Sequence, residues 1–249
     1  MRQPPPWLVT DSRDDVDLGV LKTGKEAQVN LVERHGHDDR VCVFARKRYL
    51  PREVKYKGEL EALGVQRSSA FVKDVQYREG RQFRKSRDRR AVERMSTYGK
   101  HLLQDRWMGH EHDVMTRLWQ AGLSVPYPIG FDGNVFDLEY LGDDERAAPQ
   151  LQAARLQRTQ LHRAFEQLVA GLHTIVAEGY AHADLSAYNL LWWDDRLWFI
   201  DFPQAVDIAA NPQGVEFLHR DVLNVCEWFA RRGLDVDAEE VFADVLCSL

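Results

Sequence analysis

The chain has 249 residues, 44% of them hydrophobic and 29% charged, enough to bury a substantial core. Its 33 basic and 39 acidic residues give a formal charge of −6, so global charge offers no argument for nucleic-acid binding. Three widely spaced cysteines, Cys42, Cys226 and Cys247, argue against a disulfide framework or a structural zinc site and read as reduced packing residues. No apolar run approaches the roughly 18 residues of a membrane span, and the opening residues do not form a signal peptide, so a cytoplasmic protein without membrane contact is expected.

Pro4 to Pro6 read as a short polyproline lead-in. Leu21 to Val32 then reads as strand, tight turn, strand. The tip, Thr23-Gly24-Lys25-Glu26-Ala27-Gln28-Val29, could cover phosphates with backbone N–H groups, although it matches neither a Walker A loop nor Gly-x-Gly-x-x-Gly. A strand follows from Val41 to Ala45 and continues to Lys47, so Val43, Ala45 and Lys47 share one face. A lysine on a core-facing side needs an anion; without one it snorkels to water.

From Arg78 to Arg90 seven basic residues face two acidic ones, a local charge of +5. That run reads either as a solvated mobile loop or as a contact for phosphate backbone. Glu111, Val114, Met115 and Leu118 then fall on one helical face. An inward Glu111 requires a cation, and Lys47 is the nearest candidate; a helix rotated the other way would leave Glu111 solvated at the rim.

Ala147 to Arg158 reads as a link into a long helix near Leu161, with Phe165, Leu168, Leu172, Ile175 and Val176 at helical spacing and Gly179 as its stop. Directly after it comes His182-Ala183-Asp184-Leu185-Ser186-Ala187-Tyr188-Asn189, then two short aromatic strands joined at Asp194-Asp195-Arg196, then Asp201. The hairpin sets Asn189 and Asp201 at the open ends of paired strands. Phosphoryl transfer of the kinase kind needs a carboxylate that orients the nucleophile and oxygen ligands that place Mg²⁺ on the phosphates, and Asp184, Asn189 and Asp201 fit those roles. Val215 to Phe229 and Ala238 to Leu246 read as closing helices, with Leu218, Val222, Val225 and Phe229 inward.

With these residues assembled, the chain resembles the RIO family of atypical serine protein kinases from about Leu18 onward. The resemblance is carried by Thr23 to Val29, by Trp107 with Glu111, by His182 to Asn189, by Ile200-Asp201-Phe202-Pro203-Gln204, and by Phe217-Leu218 with Arg220, Asp221, Asn224 and Val225. The catalytic loop is similar to the first RIO subfamily, whereas Asp-Phe-Pro-Gln is commoner in the second. Fewer than twenty residues precede the first predicted strand, so the winged-helix domain of the second subfamily is expected to be absent, which favours the first.

The resemblance implies an α+β, two-lobed protein-kinase-like fold: a small N-terminal antiparallel sheet with one helix, and a mainly helical C-terminal lobe. It implies a lead-in over 1–17 and a kinase domain over 18–249, divided into an N-lobe (18–138, with a mobile basic insertion at about 50–105), a hinge at 139–142 and a C-lobe (143–249). ATP and Mg²⁺ are the implied cofactors. Asp184 would be the base, Asn189 and Asp201 the metal ligands, and Lys47, paired to Glu111, the phosphate contact. Thr23, Gly24, Lys25 and Val29 would cover the nucleotide, and Glu139, Tyr140 and Leu141 would supply the hinge contacts. Asp201 is also the implied acceptor of an aspartyl-phosphate, which would give ATPase output.

The expected activity is serine phosphorylation of a protein or of the chain itself, with Ser68, Ser69, Ser86, Ser96 and Thr97 as candidate self-phosphorylation sites. Two alternatives remain: a small-molecule kinase of the aminoglycoside or choline type, and a nucleotide-gated ribosome-assembly factor contacting small-subunit ribosomal RNA or pre-ribosomes through the basic insertion. The chain departs from typical kinases in lacking Asp-Phe-Gly and Ala-Pro-Glu and in placing Ala183 where His-Arg-Asp carries arginine. Control by activation-loop phosphorylation is therefore not expected.

Overall fold

The first fifty residues contribute three antiparallel strands, β1 (Ser12–Thr23), β2 (Ala27–Gly36) and β3 (Val41–Tyr49). The computed structural model describes residues 2–24, 27–49, 97–144 and 146–249, with the backbone alone for 97–108. Two further strands, β4 (Pro128–Asp132) and β5 (Val135–Glu139), complete a sheet of order β1-β2-β3-β5-β4. Its ladders are all antiparallel.

The alternation of β3 decides what each face of this sheet does. Val43, Ala45, Lys47 and Tyr49 share the inner face, where Lys47 sits between Val29 on β2 and Phe136 on β5. On the other face Cys42 packs beneath Leu8 and Val9, while Arg34 and Arg46 lie over the Phe44 ring. Asp15 accepts from both arginines and Asp137 from Arg46, and the Arg34 hydrogen bond, first among these contacts, holds Asp15 well below the usual carboxylate range. The N-terminal segment is thus part of the sheet's packing. β1 starts at Ser12, ahead of the expected boundary at 18, and after the prolines Leu8 N–H closes a turn onto Pro5 O.

Helix α1 (Thr97–Gln120) crosses the inner side. Glu111, Val114, Met115 and Leu118 are all buried, the face expected from their spacing. The described part of the helix reaches back to Thr97, inside the segment read as insertion, and residues 50–96, including the basic run and Ser68, Ser69, Ser86 and Ser96, lie outside the described residues.

The C-terminal part is mainly helical. Helix α2 (Arg158–Ala177) buries Leu161, Leu168, Leu172, Ile175 and Val176 and stops at Gly179, whose φ of +82° suits a residue without Cβ. Phe165, half-buried, packs edge-on against Phe229. Gly171 lets α2 approach the hairpin: a Cβ there would stand 2.4 Å from two Phe199 ring atoms. Strands β6 (Tyr180–Ala181) and β9 (Val206–Asp207) pair with each other and bracket β7 (Leu190–Trp193) and β8 (Arg196–Phe199) in sequence. Asp194 and Asp195 both have positive φ, as a two-residue hairpin turn that follows the strand twist demands.

Helices α3 (Gly214–Ala230) and α4 (Ala238–Leu246) close the fold, with Leu218, Val222, Val225 and Phe229 inward. The whole is the α+β, two-lobed kinase-like arrangement expected. Cys42 and Cys226 are buried and unbridged, whereas Cys247 is exposed and donates to Ala243 O, so it is not a packing residue. No helix among the described residues is long and apolar enough to cross a membrane.

Candidate active site

The β7–β8 hairpin places its two ends side by side. Ile200 N–H donates to Asn189 O at 3.0 Å, so Asn189 and Asp201 leave the same end of one ladder. Asn189 Nδ2 donates to Asp184 O at 2.8 Å and lies 3.4 Å from Asp184 Oδ2, which turns the amide nitrogen toward the catalytic loop and leaves Oδ1 to face elsewhere. The three residues expected to act together are brought together.

Ala183 and Asp201 both adopt left-handed backbone, with φ of 64° and 68°. For an L-residue that region costs roughly 1–2 kcal/mol and persists only where the surroundings impose it. At Ala183 the imposing group is Asp221 on α3, fully buried, whose two oxygens accept Ala183 N–H at 2.7 Å and Leu185 N–H at 2.9 Å. Arg220 on the same helix donates to Ala183 O. Two neighbouring residues thus hold the peptide units on both sides of Asp184. His182, also buried, donates from Nε2 to Ile200 O at 3.1 Å and packs on Phe202, tying the loop to the segment that carries Asp201.

The opposite wall comes from the sheet and α1. Lys47 Nζ donates to Glu111 Oε1 at 2.8 Å and Oε2 at 2.9 Å, and to Asp201 Oδ1 at 2.9 Å. Glu111 is buried and also accepts from the Tyr49 hydroxyl. An uncompensated carboxylate in that position would cost several kcal/mol, so the ion pair is what permits burial. Burial works against the Lys47 ammonium, but Glu111 and then Asp201 hold its pKa well above the ordinary lysine value. The alternatives of a snorkelling lysine and a rim-facing Glu111 are both excluded by this geometry.

The two cleft aspartates are pushed apart. Partial desolvation, reinforced by the charge of Asp201, raises Asp184 above the ordinary carboxylate range, against the opposing effects of His182 and Asn189. Desolvation would also raise Asp201, but Lys47 overrides it and holds the carboxylate below that range, with smaller contributions from His182 and then Lys22. Environments that separate two carboxylates in this way assign them different roles. The donor set around Asn189 and Asp201, one amide oxygen and one ionised carboxylate, is of the hard oxygen type Mg²⁺ prefers, and the repulsion between Asp184 and Asp201 is what a divalent cation would relieve.

The nucleotide-covering residues are placed less completely. Thr23 pairs with Gln28, and Gly24 N–H donates to Ala27 O at 2.8 Å, closing the expected tip. Val29 lies cross-strand from Lys47 and so on the same face. Lys25 lies outside the described residues. Glu139 ends β5, its carboxylate accepting Tyr127 N–H at 3.0 Å and raised by burial, and Leu141 is buried with its carbonyl accepting from Ala148. Three contributors escaped the sequence reading as site residues. Tyr49 continues the Val43, Ala45, Lys47 alternation and could have been found by extending it one step. Lys22, cross-strand from Val29, sits on a strand whose bulges break its alternation. Asp221 had no local signal as a clamp, because its partners lie nearly forty residues earlier in the chain.

A sequence model of the RIO domain matches residues 67–241, most of the chain. The chain belongs to the RIO family. Among relatives, the RIO-type serine/threonine-protein kinase Rio1 of Thermoplasma acidophilum is 33% identical over 135 residues, covering 54% of this chain and 69% of that protein. The serine/threonine-protein kinase RIO1 of Caenorhabditis elegans is 30% identical over 219 residues, covering 88% of this RIO chain and 38% of the worm protein. The serine/threonine-protein kinase RIO3 of Mus musculus is 30% identical over 148 residues, 59% of this chain and 28% of that protein. The RIO chain therefore spans well under half the length of these animal relatives.

Proposed function

We propose that this RIO chain transfers the γ-phosphoryl group of ATP, with Mg²⁺, to a serine or threonine hydroxyl of a protein, its own chain included. The observation that carries the reading is Lys47, which bridges buried Glu111 and Asp201 and so ties the sheet wall to the hairpin wall. That bridge fixes a cation beside the two oxygen ligands, the arrangement phosphoryl transfer needs because charge spreads over the phosphoryl oxygens.

In this reading Asp184, exposed and held by its backbone neighbours, accepts the hydrogen bond of the attacking hydroxyl and takes its proton as the new O–P bond forms and ADP leaves. Its raised pKa makes it the more basic of the two cleft aspartates. Lys47 directs its ammonium to the phosphates, and Thr23, Gly24, Lys25 and Val29 cover them. Asn189 Oδ1 and Asp201 would hold Mg²⁺, which would neutralise phosphate charge when bound. The hinge from Glu139 to Leu141 would receive the base.

A second output is favoured by one observation. Asp201 gives one oxygen to Lys47 while 45% of its side-chain surface remains exposed, so its carboxylate is open to accept the phosphoryl group itself. The test incubates the full chain with Mg²⁺ and γ-labelled ATP and follows labelled protein and free phosphate. The reading expects one or both, dependent on Mg²⁺, with hydroxylamine-resistant label for a serine ester and hydroxylamine-labile label for an acyl phosphate on Asp201. Neither label nor free phosphate, with Mg²⁺ present, would sink it.

A further inference from the structure

The C-terminal lobe, residues 143–249, contains no lysine, eight arginines and eighteen acidic residues. In so acidic a surface an exposed arginine readily finds a carboxylate, and Arg146, Arg163 and Arg231 do, pairing with Asp143, Asp195 and Glu227. Arg220 is committed to Ala183 O, and Arg196 lies over the Trp198 ring. The remaining three, Arg155, Arg158 and Arg232, have no carboxylate partner among the described residues, and all three line one cavity of about 400 Å³. Leu156, Leu161 and Leu234 supply apolar lining beside the arginines.

Two local features sharpen the positive character. Arg158 is the first residue of α2, whose opening turn has no acidic residue, so a cation stands where the helix dipole favours an anion. Arg232 stacks on Trp228 with its guanidinium carbon 3.6 Å from the ring centroid and donates to Trp228 O at 3.4 Å, which fixes the group at the cavity edge. Trp228 Nε1 in turn donates to Gln152, and Gln152 N–H donates to Ala187 O in the catalytic loop. The cavity wall is therefore continuous with the segment that carries Asp184.

We propose that this cavity is a docking site for a phosphorylated peptide segment, one phosphoserine or phosphothreonine entering between Arg155, Arg158 and Arg232 while a neighbouring apolar side chain lies against the leucines. A phosphate monoester carries nearly two negative charges and three acceptor oxygens, which forked arginine donors match. The volume lies in the range of ordinary ligand pockets. Nucleic acid fits less well, since it needs a track of unpaired cations, and the rest of this lobe offers paired arginines among excess acid. The site would retain an already phosphorylated protein beside the catalytic loop.

The test uses the full chain, without nucleotide, and fluorescence anisotropy of a short labelled peptide with one phosphoserine flanked by leucines. The proposal expects saturable binding, competition by inorganic phosphate, and no binding of the unphosphorylated peptide. Arg155→Ala and Arg158→Ala, both at exposed positions, should each weaken binding about tenfold, the usual effect of losing one charge-assisted hydrogen bond. Arg232→Lys, which keeps the charge and loses the stack, should weaken it less. Arg158→Ala should leave self-labelling by ATP unchanged, so failure here and failure of the kinase reading are distinguishable. Equal binding of both peptides, indifference to the arginine substitutions, or tighter binding of a single-stranded RNA oligonucleotide lost with the same substitutions would each overturn the proposal.

Discussion

Asp221→Ala is the substitution that most directly probes how the catalytic loop is held. It leaves Ala183 N–H and Leu185 N–H without their acceptor in a fully buried place. Each orphaned donor costs about 1–3 kcal/mol, a gross loss of about 2–6 kcal/mol. Two effects reduce it. Burial raises the Asp221 pKa, so its ionised form already carries a desolvation penalty that the alanine does not, and Ala183 recovers about 1–2 kcal/mol if it leaves the left-handed region. A net loss of about 1–4 kcal/mol is expected in urea denaturation, a sizeable share of the about 5–15 kcal/mol typical of a domain. Amide hydrogen exchange should accelerate at Ala183 and Leu185 before it does in α2, and turnover should fall more than ATP affinity, because Asp184 moves while Lys47 does not. A stability loss under about 1 kcal/mol with unchanged exchange at those two amides would refute the clamp.

Further outcomes follow from the ion pair, the aspartates and the packing. Lys47→Ala strands a buried Glu111 and should destabilise the chain by about 3–5 kcal/mol in urea denaturation. The share due to Asp201 has a definite sign: its folded pKa is depressed, so that contribution is present above the ordinary carboxylate value of 3.8 and is lost as pH falls through the lower folded value. Carbon-detected NMR titration should place Asp184 above 3.8 and show it moving down in Asp201→Asn, because the Asp201 charge is one cause of the rise. No movement would mean the two carboxylates do not sense each other. Gly171→Ala forces a methyl against the Phe199 ring and should cost about 1–3 kcal/mol by overpacking, read as a lowered Tm.

The sequence was most informative where chemistry and periodicity coincided. The hairpin from Leu190 to Phe199 is short and aromatic and turns at Asp194-Asp195, so its ends had to bring Asn189 and Asp201 together, and they do. The helix face of Glu111, Val114, Met115 and Leu118 could be read because three apolar residues fix the rotation of the fourth. Less legible were β4 and β5, where Pro128, Gly130 and Gly133 interrupt the alternation that marks a strand. The packing of Leu8 and Val9 over Cys42 was hidden because it depends on a sheet face defined by residues more than thirty positions away. The same distance hid Asp221: two backbone donors and one carboxylate carry no spacing that a linear reading can use.

In the proposed function Asp184 acts on the nucleophile while Lys47, Asn189 and Asp201 would hold the nucleotide and its metal. Measuring fluorescent ATP-analogue affinity and phosphoryl-transfer rate side by side for the parent and Asp184→Asn separates these roles. Affinity is expected within about threefold of the parent and the transfer rate lower by about 10²–10⁴-fold, the usual contribution of a positioned general base. Transfer retained within about tenfold, or nucleotide binding lost together with transfer, would contradict that proposal.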